Sequence, residues 1–287
     1  MNLFVYGTLL KGLCRFRVIS GSAFLGHAFI KADLYDLGSF PAVAEGGGVV
    51  YGELYSIDER TLHDIDSIEG FRPDRPETSF YQRQKIAATS LHDGSTIQAE
   101  TYFFNQELSR DKKIDCGDYR RYLIEGKVSG SGGEKHNTGL RQDRMWYIAY
   151  GSNMCTERLK KRIGDFFDLK TGYLEGYRLI FNKLSTKGEQ VYANITPGGE
   201  EQNCPFAAYL VTPEQLLILD NFEGVAGNNY VRIGLPFTDK SGAEYSGQIY
   251  MAHPDKLVAP DKPQAHYLGF IQRGYQEHGF DLKYLSS

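Results

Sequence analysis

One motif is written twice in this chain, and that duplication constrains the fold more than any other feature. Ile65-Asp66-Ser67-Ile68-Glu69-Gly70-Phe71, leading to Tyr81-Gln82-Arg83, returns as Leu219-Asp220-Asn221-Phe222-Glu223-Gly224-Val225, leading to Tyr230-Val231-Arg232. Each copy is preceded by an apolar strand-like run that ends in a Tyr-Gly-polar loop. These are Phe4-Val5-Tyr6-Gly7-Thr8-Leu9 and Ile148-Ala149-Tyr150-Gly151-Ser152-Asn153-Met154. The offset of about 145–155 residues is that of a duplicated domain rather than a solenoid repeat. A carboxylate and a glycine loop that recur together point to a site built twice.

The length of 287 residues suits two domains, each with its own core. Net charge is −4, which argues against a nucleic-acid binder with its usual basic face. Cys14, Cys116, Cys155 and Cys204 are scattered, with no CxxC pair and no His at metal-ligand spacing, so they read as free thiols in a reducing compartment. Met1-Asn2 runs directly into a strand without a basic leader, and no apolar run approaches membrane-spanning length. A cytoplasmic chain without membrane partners is the expectation.

Strands are expected at Leu3–Tyr6, Ala32–Leu37, Val49–Tyr55, Phe80–Ala87 and Gln98–Phe104, with turns at Gly38-Ser39-Phe40-Pro41 and Gly46-Gly47-Gly48. Asp58 is a plausible N-cap for a helix with Leu62, Ile65 and Ile68 on its apolar face, stopped by Gly70. Asp118–Ile124 reads as a short closing helix. The glycine-rich, polar stretch 126–144 is the expected linker between domains 1–125 and 145–287. In the second half strands are expected at Trp146–Tyr150, Tyr177–Asn182, Val191–Ile195, Ala207–Thr212, Tyr230–Leu235 and Tyr245–Ala252. Helices are expected at Met154–Ile163, from Pro213 to Glu223, and from Gln264 to His278. Strands outnumber helices and do not alternate with them, which favours an α+β fold with mixed, curled sheets over a doubly wound one.

A carboxylate at a helix end, beside residues such as Phe222 and Val225, would have its pKa raised by apolar surroundings and by the helix dipole. Such a group suits general-base work near neutral pH. One Glu-Gly pair is most simply a helix stop with an exposed acid. Two, each followed by Tyr-x-Arg, make Glu69 and Glu223 catalytic candidates. The glycine loops complement them, because glycine lets backbone N–H groups approach an anion closely. Candidate substrate-binding residues are therefore Tyr6, Gly7, Thr8 and Leu9 in the first half and Tyr150, Gly151, Ser152, Asn153 and Met154 in the second. Tyr81 and Tyr230 are further candidates, although a Tyr opening a strand more often packs. Asn194 and Tyr250 are expected to line the second pocket. Arg83, Arg232 and His278 read as structural.

The second half resembles the γ-glutamylcyclotransferases. The matching residues are Tyr150 to Met154, Phe181-Asn182-Lys183, Ala193-Asn194-Ile195, the Leu219 to Gly224 stretch, and a tail with Lys262-Pro263, Tyr267-Leu268 and Gly274-x-x-Glu277-His278-Gly279. The first half is similar to the AIG2-like, γ-glutamylamine cyclotransferase branch through Val5 to Leu9, Leu34 to Gly38, Pro41-Ala42-Val43, Glu69-Gly70 and Gly117-Asp118-Tyr119-Arg120. The whole looks like a bacterial tandem member. The resemblance implies two domains, each a mixed, curled sheet or partly open barrel with flanking helices, expected to pack on each other. It also implies a cofactor-free, metal-free reaction in which a small γ-glutamyl compound cyclises to 5-oxoproline and releases an amine or amino acid, with Glu69 and Glu223 shuttling the proton. A binding or regulatory protein with one or both sites degenerate is the competing reading, and simple hydrolysis of the same amides is a third.

Overall fold

The computed structural model describes residues 1–126, 144–199 and 201–285. The expected linker, 126–144, lies outside the described residues except at its two ends. Contacts divide the chain into two compact units, Met1–His136 and Asn137–Ser287.

The first unit is a closed five-stranded barrel. Its elements are β1 (Asn2–Val5), β2 (Ala23–Asp36), β3 (Pro41–Ser56), α1 (Glu59–Glu69), β4 (Tyr81–Ser90), β5 (Thr96–Phe104) and α2 (Tyr119–Ile124). The strand order is β1-β3-β2-β4-β5, and a parallel contact of Leu3 with Glu100 closes the ring. The expected strands at 32–37 and 49–55 are parts of one long hairpin, β2 with β3. Gly46-Gly47-Gly48 is not a turn but runs on within β3, beside a register shift that follows Lys31. The reason is steric. A Cβ on Gly46 or Gly48 would lie 2.3 Å or 2.4 Å from the Asp33 carboxylate, whose Oδ1 accepts from the Gly48 N–H at 2.9 Å.

Asp58 caps α1 through the Thr61 N–H, and Gly70, at φ +65°, ends it. Leu62 and Ile65 are buried against the barrel core, whereas Ile68 turns toward a surface cleft.

The second unit holds an open sheet. Its elements are β6 (Met145–Ala149), α3 (Thr156–Ile163), β7 (Asp168–Glu175), β8 (Tyr177–Leu184), β9 (Val191–Pro197), β10 (Asn203–Val211), α4 (Pro213–Glu223), β11 (Tyr230–Thr238), β12 (Glu244–Ala252) and α5 (Ala265–Glu277). The order is β11-β12-β6-β10-β7, with β8 and β9 forming a separate hairpin. Only β12 and β6 run parallel in the sheet. Strand β7 was not legible, since Asp168, Lys170 and Gly172 break any apolar alternation. It pairs along its whole length with β10, which supplies the apolar side. The helix expected from Met154 begins instead as a 3-10 turn, Ser152–Met154, followed by α3. A complete capping box, Thr212 with Gln215, starts α4, and Gly224 at φ +65° ends it as Gly70 ends α1.

Helix α5 lies against the turn at 152–154 because residue 274 is glycine. A Cβ there would sit 2.6 Å from Met154 backbone carbon and 2.7 Å from the Cys155 nitrogen. Gly274→Ala is expected to lower the stability of this unit by about 2 kcal/mol through overpacking. Denaturant unfolding checks this, and an unchanged midpoint would mean that the helix moves away without cost. No helix among the described residues is long and apolar enough to cross a membrane.

Candidate active sites

The duplicated motif builds the same frame in both units. In the first, the chain leaves β1 at Val5 and turns through Tyr6-Gly7-Thr8-Leu9, with the Leu10 N–H donating to Gly7 O at 2.9 Å. Residue 7 has to be small, since a Cβ would lie 2.8 Å from Pro41 Cγ. The Tyr6 hydroxyl donates to Tyr102 O at 2.6 Å, and the Tyr81 hydroxyl donates to Pro41 O at 2.8 Å. In the second unit Tyr150 donates to Tyr250 O at 2.6 Å and Tyr230 to Ala193 O at 2.8 Å. These four tyrosines thus spend their protons on fixing the loops, which leaves their oxygens only as acceptors toward a ligand.

A second repeated device lies beneath. Asp66 accepts from the Tyr102 hydroxyl at 2.7 Å and from Arg83 at 3.0 Å. Asp220 accepts from the Tyr250 hydroxyl at 2.8 Å and from Arg232 at 2.8 Å. Each aspartate stands three residues before its glutamate, so this clamp fixes the last turn of the helix that presents the carboxylate. Arg83 and Arg232 are therefore the structural ion-pair partners expected. The roles of Asp66, Asp220 and Tyr102 escaped sequence reasoning, although the repeated Asp-x-x-Glu-Gly spacing carried the signal.

Both glycine loops present the same donors. Among the described residues, the N–H groups of Gly7, Thr8 and Leu9, and of Gly151, Ser152 and Asn153, make no hydrogen bond. Three consecutive unspent donors on a loop that lines each cleft suit an anion or a developing oxyanion.

The glutamates differ. Glu69 lines a cleft of roughly 570 Å³, mouth included, with Tyr6 to Leu9, Arg15, Phe40, Pro41, Ile68, Phe80, Tyr81 and Tyr102. Its carboxyl makes no hydrogen bond or ion pair among the described residues. Burial among aromatic rings pushes its pKa up to about 7, with the Arg15 charge pulling slightly the other way. The Tyr6 and Tyr81 hydroxyls are raised too, first by burial, and the negative charge of Glu69 adds to the rise in both.

Glu223 is held by polar partners instead. Phe222 is 54% exposed, and its ring lies under the Arg162 guanidinium at 4.7 Å. Glu223 Oε1 accepts from Arg162 at 2.9 Å and from Asn153 Nδ2 at 3.1 Å. Arg162 also donates to Asn153 Oδ1 at 3.0 Å, and Asn153 donates to the Tyr147 hydroxyl at 2.8 Å. The cleft here is smaller, roughly 330 Å³, and is walled by Tyr147, Tyr150 to Asn153, Ala193, Glu223, Tyr230, Tyr250 and Tyr267. Tyr267 accepts from the Ala193 N–H at 3.2 Å. Neither Arg162 nor Tyr267 was anticipated.

Two expected pocket residues do not line it. Asn194 is fully buried, donating to Asn182 Oδ1 at 3.2 Å and accepting from the Ala252 N–H at 3.0 Å. Its amide ties β9 to β12. Met154 is also fully buried, and its carbonyl accepts from the Tyr209 hydroxyl at 2.9 Å. His278, with Nε2 2.8 Å from the same carbonyl, is part of that packing. Among the described residues, no group of three or more His, Cys, Asp and Glu is placed to hold a metal ion.

With this geometry in hand, similarity to known proteins is informative. The family model described as gamma-glutamyl cyclotransferase, AIG2-like, matches residues 3–121 and again 147–269. The chain is 26% identical over 280 residues to YkqA of Bacillus subtilis strain 168, a candidate gamma-glutamylcyclotransferase by name, covering 95% of this chain and 90% of that one. The crystal structure of YkqA superposes with a TM-score of 0.72 at 25% identity, covering 96% and 91% of the two chains. The human gamma-glutamylcyclotransferase is 30% identical over 158 residues, which is 53% of this chain and 81% of that one. Matched across both of its units, the chain belongs to the gamma-glutamyl cyclotransferase, AIG2-like family.

Proposed function

We propose that the first unit catalyses the cyclisation of a γ-glutamyl compound to 5-oxoproline, with Glu69 as the acid/base group. The observation that carries this reading is an unpaired carboxyl with a pKa of about 7 in the same cleft as three unspent backbone N–H donors. The substrate would lie with its γ-carbonyl against Tyr6 to Leu9 and its α-ammonium toward Glu69. The carboxylate takes one proton from the ammonium. The freed amine adds to the γ-carbonyl carbon, forming the ring C–N bond while the carbonyl electron pair moves onto oxygen. Loop N–H groups stabilise that oxyanion, an effect of roughly 3 kcal/mol per donor at sites of this type. The tetrahedral centre then collapses: the bond to the leaving nitrogen breaks as Glu69 gives its proton to that nitrogen, and the second ammonium proton, still on the ring nitrogen, passes through the freed carboxylate to the released amine, which leaves as an ammonium. Because the nucleophile already belongs to the substrate, holding one bent conformer supplies much of the rate. The products are 5-oxoproline and a free amine or amino acid, and no step calls on a cofactor.

For the second unit a different reading is favoured by a specific contact. Glu223 is already committed to Arg162 and Asn153, so this cleft suits holding a γ-glutamyl compound without turning it over. Release of 5-oxoproline from a panel of γ-glutamyl amines, amino acids and peptides tests the proposal. Product from at least one member supports it, and tight binding without product from any would make the whole chain a binding protein.

A further inference from the structure

The first cleft contains a cation that makes no hydrogen bond or ion pair among the described residues. Arg15 is the one basic residue lining it among the described residues, and it is half-buried. Its backbone is fixed to the glycine loop, the Arg15 N–H donating to Thr8 O at 3.0 Å. Its guanidinium makes no hydrogen bond or ion pair among the described residues. Five donors in a planar fork, anchored to the loop and left unspent, match a carboxylate in bidentate fashion.

We infer that Arg15 is the anchor for the substrate's α-carboxylate in the first site. The inference rests on the cyclisation reading and adds a positioning residue to it. Donor counting supports it. The loop offers three N–H groups and a bound γ-glutamyl group presents three acceptor oxygens, two on the carboxylate and the carbonyl oxygen that becomes an oxyanion, so a loop serving both would leave the oxyanion a single donor. With Arg15 on the carboxylate, the loop donors remain for the oxyanion. The placement also orients the substrate's Cα, since its carboxylate faces Arg15 and its ammonium faces Glu69 across the same cleft.

The test uses the full chain carrying Glu223→Gln, with and without Arg15→Met and Arg15→Lys. Kinetics are followed with a γ-glutamyl amine and with its analogue in which the α-carboxylate is a carboxamide. Arg15→Met is expected to raise KM for the carboxylate substrate about 10- to 100-fold, the range for losing a charged hydrogen bond, with a smaller fall in kcat. The carboxamide analogue should be nearly indifferent to the change, and Arg15→Lys should recover part of the loss. An equal KM effect on both substrates, or none on either, would overturn the assignment. Calorimetric binding of 5-oxoproline, which keeps the α-carboxylate, separates this idea from the cyclisation reading. Loss of one bound equivalent in Arg15→Met, in a chain that turns nothing over, would sustain the anchor while removing the reaction. Full turnover with unaltered binding would do the reverse.

Discussion

Glu69→Gln is expected to reduce 5-oxoproline release by about 10³-fold, within the range for loss of a general acid/base group, while Glu223→Gln changes it less than about threefold. The asymmetry follows from what each carboxyl touches. Glu69 lines a largely aromatic cleft and makes no hydrogen bond or ion pair among the described residues, and its raised pKa keeps a useful fraction ionised at neutral pH while leaving it basic enough to take a proton. Glu223 is held by Arg162 and Asn153. The Gln substitution at 69 breaks no hydrogen bond and leaves the Gly70 cap intact, so lost activity would not report unfolding. Steady-state assays of the two single variants and the double variant decide the matter. Abolition by Glu223→Gln with Glu69→Gln unaffected would move the chemistry to the second unit.

The same substitution should stabilise the protein, and only above a certain pH. A carboxyl at about 7 in the folded chain and near 4.5 in the unfolded chain favours folding when protonated. Below about pH 4.5 both states carry the proton and Glu69 costs nothing. As pH rises toward 7 the unfolded chain ionises first, so stability falls. Above 7 the full penalty remains, on the order of 3 kcal/mol. Glu69→Gln removes it, so the variant should exceed wild type by that amount at pH 8 and match it near pH 4. Paired denaturant titrations across this range cancel the contributions of other groups, and a difference independent of pH would refute the assignment. The catalytic counterpart has a sign of its own. Only the carboxylate can take the ammonium proton, so kcat/KM should rise with pH through about 7. The fold thus carries a local cost for keeping a base near neutrality.

Much of this arrangement was legible because the chain states it twice. The repeated Glu-Gly, the Tyr-Gly loops and the caps at Asp58, Gly70 and Gly224 are local features, and local backbone chemistry produced them as expected. What escaped depends on partners distant in sequence. Gly46 to Gly48 read as a turn because nothing nearby shows that Asp33 packs against them. Strand β7 has little strand character of its own and exists through β10. Asn194 looked like a pocket amide, but the topology places it between β9 and β12. The unlike surroundings of Glu69 and Glu223 come from Arg162 on α3 and from Phe40 and Phe80 in the first cleft, none of which lies in the duplicated motif.

The reaction itself is tested most directly by running it in ¹⁸O-labelled water with the Glu223→Gln chain and analysing the products by mass spectrometry. Intramolecular attack by the substrate's own amine takes no oxygen from solvent, so the account predicts unlabelled 5-oxoproline in step with the released amine. Labelled glutamate in its place would show that water is the nucleophile and would contradict the cyclisation assigned to Glu69.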